Sequence, residues 1–236
     1  MTQQQKLPKH IAFIMDGNRR WAKDNNFSQD EGHKRGITAI KEIISYGREL
    51  GIKYLTFYLF SSENWNRSPS EVSFLMTLIF NSLAKQEYGF LDENKIKLKF
   101  IGSEIKLNDS LKSRMRECEE YTEKYDDIHV NLAFNYGARQ EITDSMIKII
   151  EKVIIQEIKI ADITEDLVSA NLYDSSLPDP DLLIRTSGEY RVSNFLLWQI
   201  AYSELYFTET LWPDFNRTCL DEALKDYLQR MRRYGT

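Results

Sequence analysis

Short runs rich in β-branched and aromatic residues alternate along this chain with longer segments of helical periodicity. The strand-like runs are 11–15, 54–60, 97–101, 129–134, 182–184 and a short run at 205–207. The helical segments are 32–50, 71 to about 91, 111–124, 138–157 and 219–233. Such alternation is typical of crossover helices that connect parallel strands. We therefore predict one α/β domain over residues 1–236, built around a parallel sheet.

The composition excludes several classes of protein. With 236 residues, 42% of them hydrophobic, the chain can bury a substantial core without disulfides. Its net charge of −5 argues against broad nucleic-acid binding, which normally requires a basic face. Cys118 and Cys219 match no metal-ligand or redox spacing, and a reducing cytosol is their simplest setting. Residues 1–9 are polar and no run approaches the roughly 20 apolar residues of a membrane span, so we expect a cytoplasmic protein that can contact a membrane peripherally.

The segment 71–83 is apolar almost all the way round a helix. One stripe is formed by Val72, Leu75, Met76, Ile79 and Leu83, and the opposite side by Phe74, Leu78 and Phe80. A helix of this kind is buried or faces an apolar cavity. The two interpretations are a central core helix and the wall of a hydrophobic tunnel.

The first polar motif is segment 15–22 (MDGNRRWA), which comes directly after the first predicted strand. Gly17 permits a tight turn from strand to helix, and the N–H groups at a helix start favour an anion such as a diphosphate. Arg19 and Arg20 can add charge-assisted hydrogen bonds, and Asp16 is well placed to hold Mg²⁺ against the same phosphates. The alternative is a capping aspartate beside surface arginines. No Gly-Lys-Ser/Thr sequence comes after it, which excludes a Walker loop.

The second motif is segment 60–67 (FSSENWNR), at the end of the second predicted strand. It places two hydroxyls, a carboxylate, two amides and an arginine on one loop. Each residue alone can serve as a turn former or a helix cap. Their combination at the carboxyl end of a strand indicates a site.

The third motif is segment 185–195 (RTSGEYRVSNF). Arg185 and Arg191 flank a turn of small residues, and Ser193 adds a hydroxyl. This arrangement suits a second diphosphate that is held by guanidinium groups, although a solvated loop with surface salt bridges has the same composition. Three such loops on one parallel sheet converge at its carboxyl edge, which favours a common binding site.

These segments closely resemble the signature blocks of the cis-prenyltransferase family. The matching blocks are 10–22 (HIAFIMDGNRRWA), 32–34 (GHK), 60–67, 135–137 (NYG), 184–199 (IRTSGEYRVSNFLLWQ) and 201–207 (AYSELYF). They occur in the family's order and cover nearly the whole chain. The resemblance implies a mostly parallel sheet of six strands surrounded by helices, a hydrophobic tunnel and a homodimer.

The resemblance also implies an activity. Members condense isopentenyl diphosphate with an allylic diphosphate such as farnesyl diphosphate, with Mg²⁺ as cofactor, and make a Z-polyprenyl diphosphate. For a bacterial member the expected product is undecaprenyl diphosphate, a carrier-lipid precursor for cell-wall glycans, released through transient contact with the membrane surface. A short- or medium-chain product and a noncatalytic subunit are the alternatives.

The family's functional residues map onto this sequence. Asp16 and Asn64 would be catalytic, Asp16 and Glu204 would hold Mg²⁺, and Asn64 would accept or relay the proton. The residues that would contact the substrates are Gly17, Asn18, Arg19, Arg20, Trp21, Gln29, His33, Phe60, Ser61, Ser62, Glu63, Trp65, Arg67, Arg185, Arg191, Val192, Ser193, Arg233 and Gly235. The first block and His33 would bind the allylic diphosphate, Trp21 and Phe60 would pack near its prenyl end, and Arg185, Arg191 and Ser193 would bind isopentenyl diphosphate. Arg233 and Gly235 resemble a family tail that reaches across the dimer.

The chain departs from the family pattern at two informative positions. Gln29 stands where relatives carry an arginine, which removes one expected diphosphate contact. Leu59 stands where many long-chain members carry alanine near the tunnel entrance. Because leucine adds about three methylene equivalents of bulk to a packed wall, we hypothesise a shorter product.

Overall fold

A six-stranded sheet forms the centre of the protein, and the computed structural model describes residues 6–230. The strands are β1 (His10–Ile14), β2 (Tyr54–Ser61), β3 (Ile96–Ile101), β4 (Ile128–Tyr136), β5 (Leu182–Arg185) and β6 (Glu204–Phe207). Their order is β3-β4-β2-β1-β5-β6, and every neighbouring pair is parallel. The predicted α/β fold is confirmed, with a sheet that is parallel at every described pairing rather than mostly parallel.

Helices cover both faces of this sheet. They are α1 (Asn18–Asp24), α2 (Gln29–Glu49), α3 (Pro69–Ser82), α4 (Tyr88–Asn94), α5 (Asp109–Thr122), α6 (Ala138–Ile154), α7 (Glu165–Ala170) and α8 (Arg217–Gln229). Helices α2 and α8 begin earlier than the apolar periodicity predicts because polar caps precede it. The Ser28 hydroxyl accepts a hydrogen bond from Glu31 N, and the Asn216 side chain accepts one from Cys219 N.

The prediction of one helix from 71 to about 91 is wrong. Helix α3 ends at Ser82, Ala84 is extended with a ψ of 153°, and a 3-10 turn over Lys85–Glu87 leads into α4. This interruption lets α4 pack against α2 and β3. Leu83 and Ala84 keep the segment apolar up to the break, and Lys85, Gln86 and Glu87 are good helix formers, so local propensity gave no signal that the helix ends there.

The core is divided between the two faces of the sheet. Along β1, Ile11 and Phe13 join one apolar cluster, whereas Ala12 and Ile14 join the other. The larger cluster is completed by α2, α3, α5 and α8, and the smaller one by the start of α6 and the loop after β5. No helix in the part of the chain that the structure describes has the length and apolar character needed to span a membrane.

A buried histidine at the amino end of β1 makes folding stability sensitive to pH. His10 is fully buried, with Nδ1 2.6 Å from Pro178 O and Nε2 2.7 Å from Thr56 Oγ1. A carbonyl can only accept, so Nδ1 carries the proton and Nε2 accepts from Thr56. Burial lowers the pKa of His10 to about 4, although the Pro178 carbonyl and Asp181 oppose the shift.

The unfolded chain binds this proton at higher pH than the folded one, so stability falls as the pH drops from about 6.5 toward 4. We expect His10 to contribute a loss of about 2 kcal/mol between pH 7 and pH 5. Urea unfolding of wild type and of His10→Gln at pH 7 and at pH 5 measures this contribution as the change with pH in the difference between their free energies of unfolding. If the difference in free energy of unfolding between the two proteins were the same at both pH values, His10 would not be a buried neutral histidine.

Candidate active site

The three polar motifs lie together at the carboxyl edge of the sheet. Strands β2, β1 and β5 are neighbours in that order, and each leads directly into one motif. Parallel strands point the same way, so their carboxyl ends meet at one edge. The convergence expected from the sequence is therefore present.

The turn after β1 fixes the position of Asp16. Gly17 has a φ of 108°, in the left-handed region that glycine adopts freely, and a Cβ there would lie 2.9 Å from Leu211 Cδ2. Asp16 Oδ1 accepts a hydrogen bond from Gly17 N at 2.8 Å, and Asp16 N donates to Thr186 Oγ1 at 3.0 Å. The carboxylate is thereby held at the sheet edge with about a third of its surface exposed.

Arg185 joins the first motif to the third. Its side chain is only 3% exposed, and its Nη2 donates to Asp16 Oδ2 at 2.9 Å. Its Nη1 donates to Ser193 Oγ and to the Arg191 carbonyl, both at 2.6 Å. Removing a partner from such a buried charge is costly, so these residues form one structural unit.

A cleft of about 650 Å³ in front of α1 carries an excess of positive charge. Its cationic lining residues are Arg19, Arg20, Lys23 and Arg67, and Asp16 is the one carboxylate among the lining residues described. Such a cleft attracts a multiply charged anion and offers it charge-assisted hydrogen bonds. Gln29 and His33 also line this cleft.

His33 is held neutral beside these cations. Burial, then the charges of Arg67 and Arg19, lower its pKa, and Glu71 acts in the opposite direction. Its Nε2 is buried without a hydrogen-bond partner among residues 6–230. Buried polar groups normally have a hydrogen-bond partner. An anion bound in the basic cleft would supply the partner that His33 Nε2 lacks among these residues.

A second cavity shares Asp16, Asn18, His33 and Arg67 with the basic cleft; it is lined by polar and apolar side chains and becomes apolar in its inner part. It has a volume of about 460 Å³ and continues into a smaller space of about 90 Å³ between α2, the α3–α4 region and the sheet. Ile37, Ile40, Leu59 and Ile79 line both parts. Both interpretations of segment 71–83 therefore hold, because Leu75 and Ile79 are buried in the core and also line the cavity.

A family model described as putative undecaprenyl diphosphate synthase matches residues 14–235. The chain belongs to this family. A ditrans,polycis-undecaprenyl-diphosphate synthase from Haemophilus influenzae, (2E,6E)-farnesyl-diphosphate specific, is 45% identical over 232 residues, which are 98% of this chain and 97% of that protein. An isoprenyl transferase from Fusobacterium nucleatum is 47% identical over 232 residues, again 98% and 97% of the two chains.

Solved structures agree with this assignment to the undecaprenyl diphosphate synthase family. The crystal structure of lavandulyl diphosphate synthase from Lavandula x intermedia, in complex with dimethylallyl diphosphate, matches with a TM-score of 0.94. The two chains are 37% identical, and the match covers 98% of this chain and 99% of that one. The resemblance inferred from the motifs is confirmed.

In this family member, the second motif divides into cavity-lining residues and anchors. Ser61, Glu63, Asn64 and Arg67 line the cavity. Asn64 Oδ1 accepts a hydrogen bond from Ser61 N at 3.0 Å, which fixes the amide at the cavity wall. Ser62 lies one residue further along the loop, where its hydroxyl donates to Glu63 Oε2 at 3.2 Å.

Phe60 and Trp65 lie behind this loop. Phe60 is fully buried, with its ring 5.2 Å from that of Trp65 and 5.6 Å from that of Phe134. Trp65 Nε1 donates to Asn135 Oδ1 at 2.7 Å. Phe60 exposes no surface in this structure, and both rings pack behind the loop and hold it in place.

Other expected contact residues lie at the rim. Trp21 donates to Asp214 Oδ1 at 2.7 Å and stacks on Phe27. Arg191 is 59% exposed and pairs with Glu189, while Val192 packs against the smaller apolar cluster. The exposed Arg191 side chain can therefore turn toward a ligand. Val192 can offer a ligand only its backbone groups or an apolar contact.

Glu204 does not join Asp16 within one chain. It is the first residue of β6 and aligns with Leu182, the first residue of β5, whereas Asp16 comes after the last residue of β1. Its Oε2 accepts from Arg230 Nη1 at 3.0 Å. Parallel strands therefore place the two carboxylates at opposite edges of the sheet within one chain, and a Mg²⁺ site that uses both stays a prediction. Arg233 and Gly235 lie outside the described residues.

Two residues at the site were not identified from the sequence. Glu71 Oε1 accepts from Arg67 at 2.7 Å and lies 3.5 Å from Arg19, so it orients arginines from two motifs. Its position four residues after Arg67 at a helix start was the available signal. Lys23 in the basic cleft lies four residues after Arg19, which places both on one face of α1.

Asp16 fits a metal that is shared with a substrate. Within residues 6–230, no group of three or more His, Cys, Asp or Glu side chains could hold a metal ion. Mg²⁺ is usually bound by one or two carboxylates together with phosphate oxygens and water. A single carboxylate beside a diphosphate-sized basic cleft matches that donor set.

Proposed function

We propose that the protein condenses isopentenyl diphosphate with an allylic diphosphate, farnesyl diphosphate, to make a Z-polyprenyl diphosphate. The observation that carries this proposal is that the basic cleft meets, at Asp16, a cavity whose inner part is apolar. A substrate with a diphosphate head and a prenyl tail requires both environments side by side. The names of the relatives support the same reaction.

The basic cleft would hold the allylic diphosphate. Asn18, Arg20 and His33 would donate to its oxygens, and Gly17 lets the chain approach it closely. The C–O bond to the diphosphate breaks in the reaction, and the electron pair leaves with the diphosphate. Mg²⁺ bound by Asp16 would supply positive charge that stabilises this leaving group.

The third motif would orient isopentenyl diphosphate. Arg185 and Ser193 line the polar part of the cavity near Asp16, and Arg191 lies beside them, because its carbonyl accepts from Arg185 Nη1. The double bond of isopentenyl diphosphate forms the new C–C bond, and one proton then leaves to restore a double bond. Asn64 would relay that proton, because its amide lines the same cavity.

An exposed apolar stripe on α6 supports a homodimer. Met146, Ile147, Ile150 and Ile154 are 54%, 50%, 53% and 72% exposed. A contiguous apolar patch of this kind marks an interaction surface. In such a dimer Arg233 and Gly235 would reach the partner's site, as the family resemblance implies for the tail.

We assign the product to undecaprenyl diphosphate, a carrier-lipid precursor for cell-wall glycans, made in the cytoplasm and released at the membrane surface. The assignment is supported by the name of the Haemophilus influenzae relative and by the apolar space that continues beyond the reacting centre. A shorter product is the second candidate. It is favoured by the position of Leu59, which lines both parts of the cavity at their junction.

Leu59→Ala is expected to lengthen the main product if Leu59 limits the chain. Removing the isobutyl group widens the junction through which the growing chain must pass. The measurement is chain-length analysis of products from wild type and variant, with Leu50→Ala, just after the end of α2, as a control for lost apolar volume. An unchanged product distribution would contradict the shorter-product hypothesis.

A turnover assay tests the function itself. Purified protein is incubated with Mg²⁺, radiolabelled isopentenyl diphosphate and farnesyl diphosphate, and extracted products are resolved by length. Products near C55 support undecaprenyl diphosphate synthesis, and a short ladder supports the second candidate. Absence of product with any allylic primer would contradict both and indicate a noncatalytic subunit.

A further inference from the structure

We propose that Asn194 is a positioning residue that couples Glu63 of the second motif to Ser193 of the third and anchors both on the start of α6. This inference rests on the proposed function. Asn194 is half-buried in the cavity wall, and both polar groups of its side chain are engaged with the protein. Its role is therefore to hold other residues in place.

Three hydrogen bonds of Asn194 define this role. Its Nδ2 donates to Glu63 Oε1 at 2.8 Å, and its Oδ1 accepts from Arg139 N at 2.9 Å. Its backbone carbonyl accepts from Ala138 N at 2.8 Å. One residue thus connects the loops after β2 and β5 with the helix that comes after β4.

The start of α6 lacks a cap of its own. Gly137 occupies the N-cap position and has no side chain that could accept from the free N–H groups of the first turn. Asn194 supplies that acceptor from another loop. A Cβ at position 137 would lie 2.8 Å from Asn194 Nδ2 and 2.4 Å from Ser62 Oγ, so the absence of a side chain there is what allows this approach.

The loop that carries Asn194 requires such anchors. Ser193, Asn194 and Leu196 have φ values of 47°, 61° and 46°, in the left-handed region that residues other than glycine and asparagine rarely adopt. The fully buried Phe195 holds the loop from inside, with its ring stacked 4.4 Å from that of Tyr58. The Asn194 hydrogen bonds hold it on the side that faces the cavity.

The consequence is a continuous polar connection across the site. Asn194 holds Glu63 directly, and its neighbour Ser193 accepts from Arg185, which pairs with Asp16. Partial burial acts to raise the pKa of Glu63, but hydrogen bonds from Asn194, the backbone, Ser62 and Ser61 outweigh it and hold the pKa below its ordinary value. The Asn194 amide thus favours a charged Glu63 at a fixed place in the cavity wall.

A double-mutant cycle tests the coupling. Asn194→Asp keeps the oxygen that accepts from Arg139 N but replaces the NH₂ group that donates to Glu63 with a second oxygen. The two carboxylates then repel each other. We expect kcat/KM to fall about 30-fold, mainly through a higher KM for isopentenyl diphosphate. In a Glu63→Gln background the carboxylate introduced by Asn194→Asp can accept from the glutamine amide. The same substitution should then cost less than about threefold.

The result that would overturn the proposal is an equal cost of Asn194→Asp in both backgrounds, while wild type turns over normally. A wild type that makes no product would instead contradict the proposed function. Asn108→Asp is the matched control, because Asn108 caps α5 by accepting from Leu111 N at 2.8 Å and lies outside the site; it should leave kcat/KM unchanged.

A second variant covers the case in which Asn194→Asp does not fold. Asn194→Gly removes the amide without backbone strain, since glycine adopts the φ of 61° freely. Glu63→Gln should then cost severalfold less in the Asn194→Gly background than in wild type. An unchanged cost of Glu63→Gln would again overturn the proposal.

Discussion

Replacing Asp16 by alanine is expected to lower kcat about 10³-fold, equivalent to about 4 kcal/mol of transition-state stabilisation. The carboxylate lies at the meeting point of the basic cleft and the second cavity, where the C–O bond of the allylic substrate would break. Its loss would remove the proposed Mg²⁺ ligand and leaves the buried Arg185 without its carboxylate partner. Steady-state turnover with both substrates at saturation measures the effect.

Two companion variants make this result specific. Asp16→Asn preserves an acceptor for Arg185 but not the charge, so it should lose nearly as much activity while unfolding at nearly the wild-type temperature. Asp24→Ala, at the end of the same helix, should leave kcat unchanged. Near-normal turnover by Asp16→Ala would contradict the assignment of Asp16 to the metal and the leaving group.

The second large effect is expected for Arg185→Lys, which should lower kcat/KM for isopentenyl diphosphate about 100-fold. A single ammonium group cannot reproduce the fork that reaches Asp16, Ser193 and the Arg191 carbonyl. Losing two charge-assisted hydrogen bonds at about 1.5 kcal/mol each gives roughly this factor. Initial rates over a range of isopentenyl diphosphate concentrations provide the measurement.

Arg217→Lys is the matched control for this substitution. Arg217 also forms a two-pronged contact, with Glu49 at 2.7 and 2.9 Å, but it is 47% exposed and lies on α8 away from the cavity. Exposed pairs of this kind contribute little, about 0–1 kcal/mol, and none of it to catalysis. An Arg185→Lys enzyme with the wild-type KM for isopentenyl diphosphate would show that the fork does not hold this substrate.

Sequence reasoning was sufficient to place the site at one edge of the sheet. The strands were recognisable from their local composition, and a parallel arrangement necessarily gathers the loops at their carboxyl ends along one edge. Asp16, Asn64 and Arg185 could be selected for the same reason, since each lies at or just after the end of a strand. These predictions depended only on local signals and on the topology they imply.

The remaining features depend on contacts between distant parts of the chain. The break between α3 and α4 is set by packing on α2 and β3, while the apolar pattern runs on through Leu83 without interruption. Glu204 carries a family motif, yet strand direction places it at the edge opposite Asp16. The coupling role proposed for Asn194 depends on Glu63, which is 131 residues away in the chain.

The most direct test of the central claim is the geometry of the double bond made by the wild-type protein. The product from isotopically labelled isopentenyl diphosphate and farnesyl diphosphate is isolated, and the configuration of each new double bond is determined by NMR. We predict Z double bonds at every added unit. E double bonds in the added units would contradict the assignment of this site to cis-prenyl transfer.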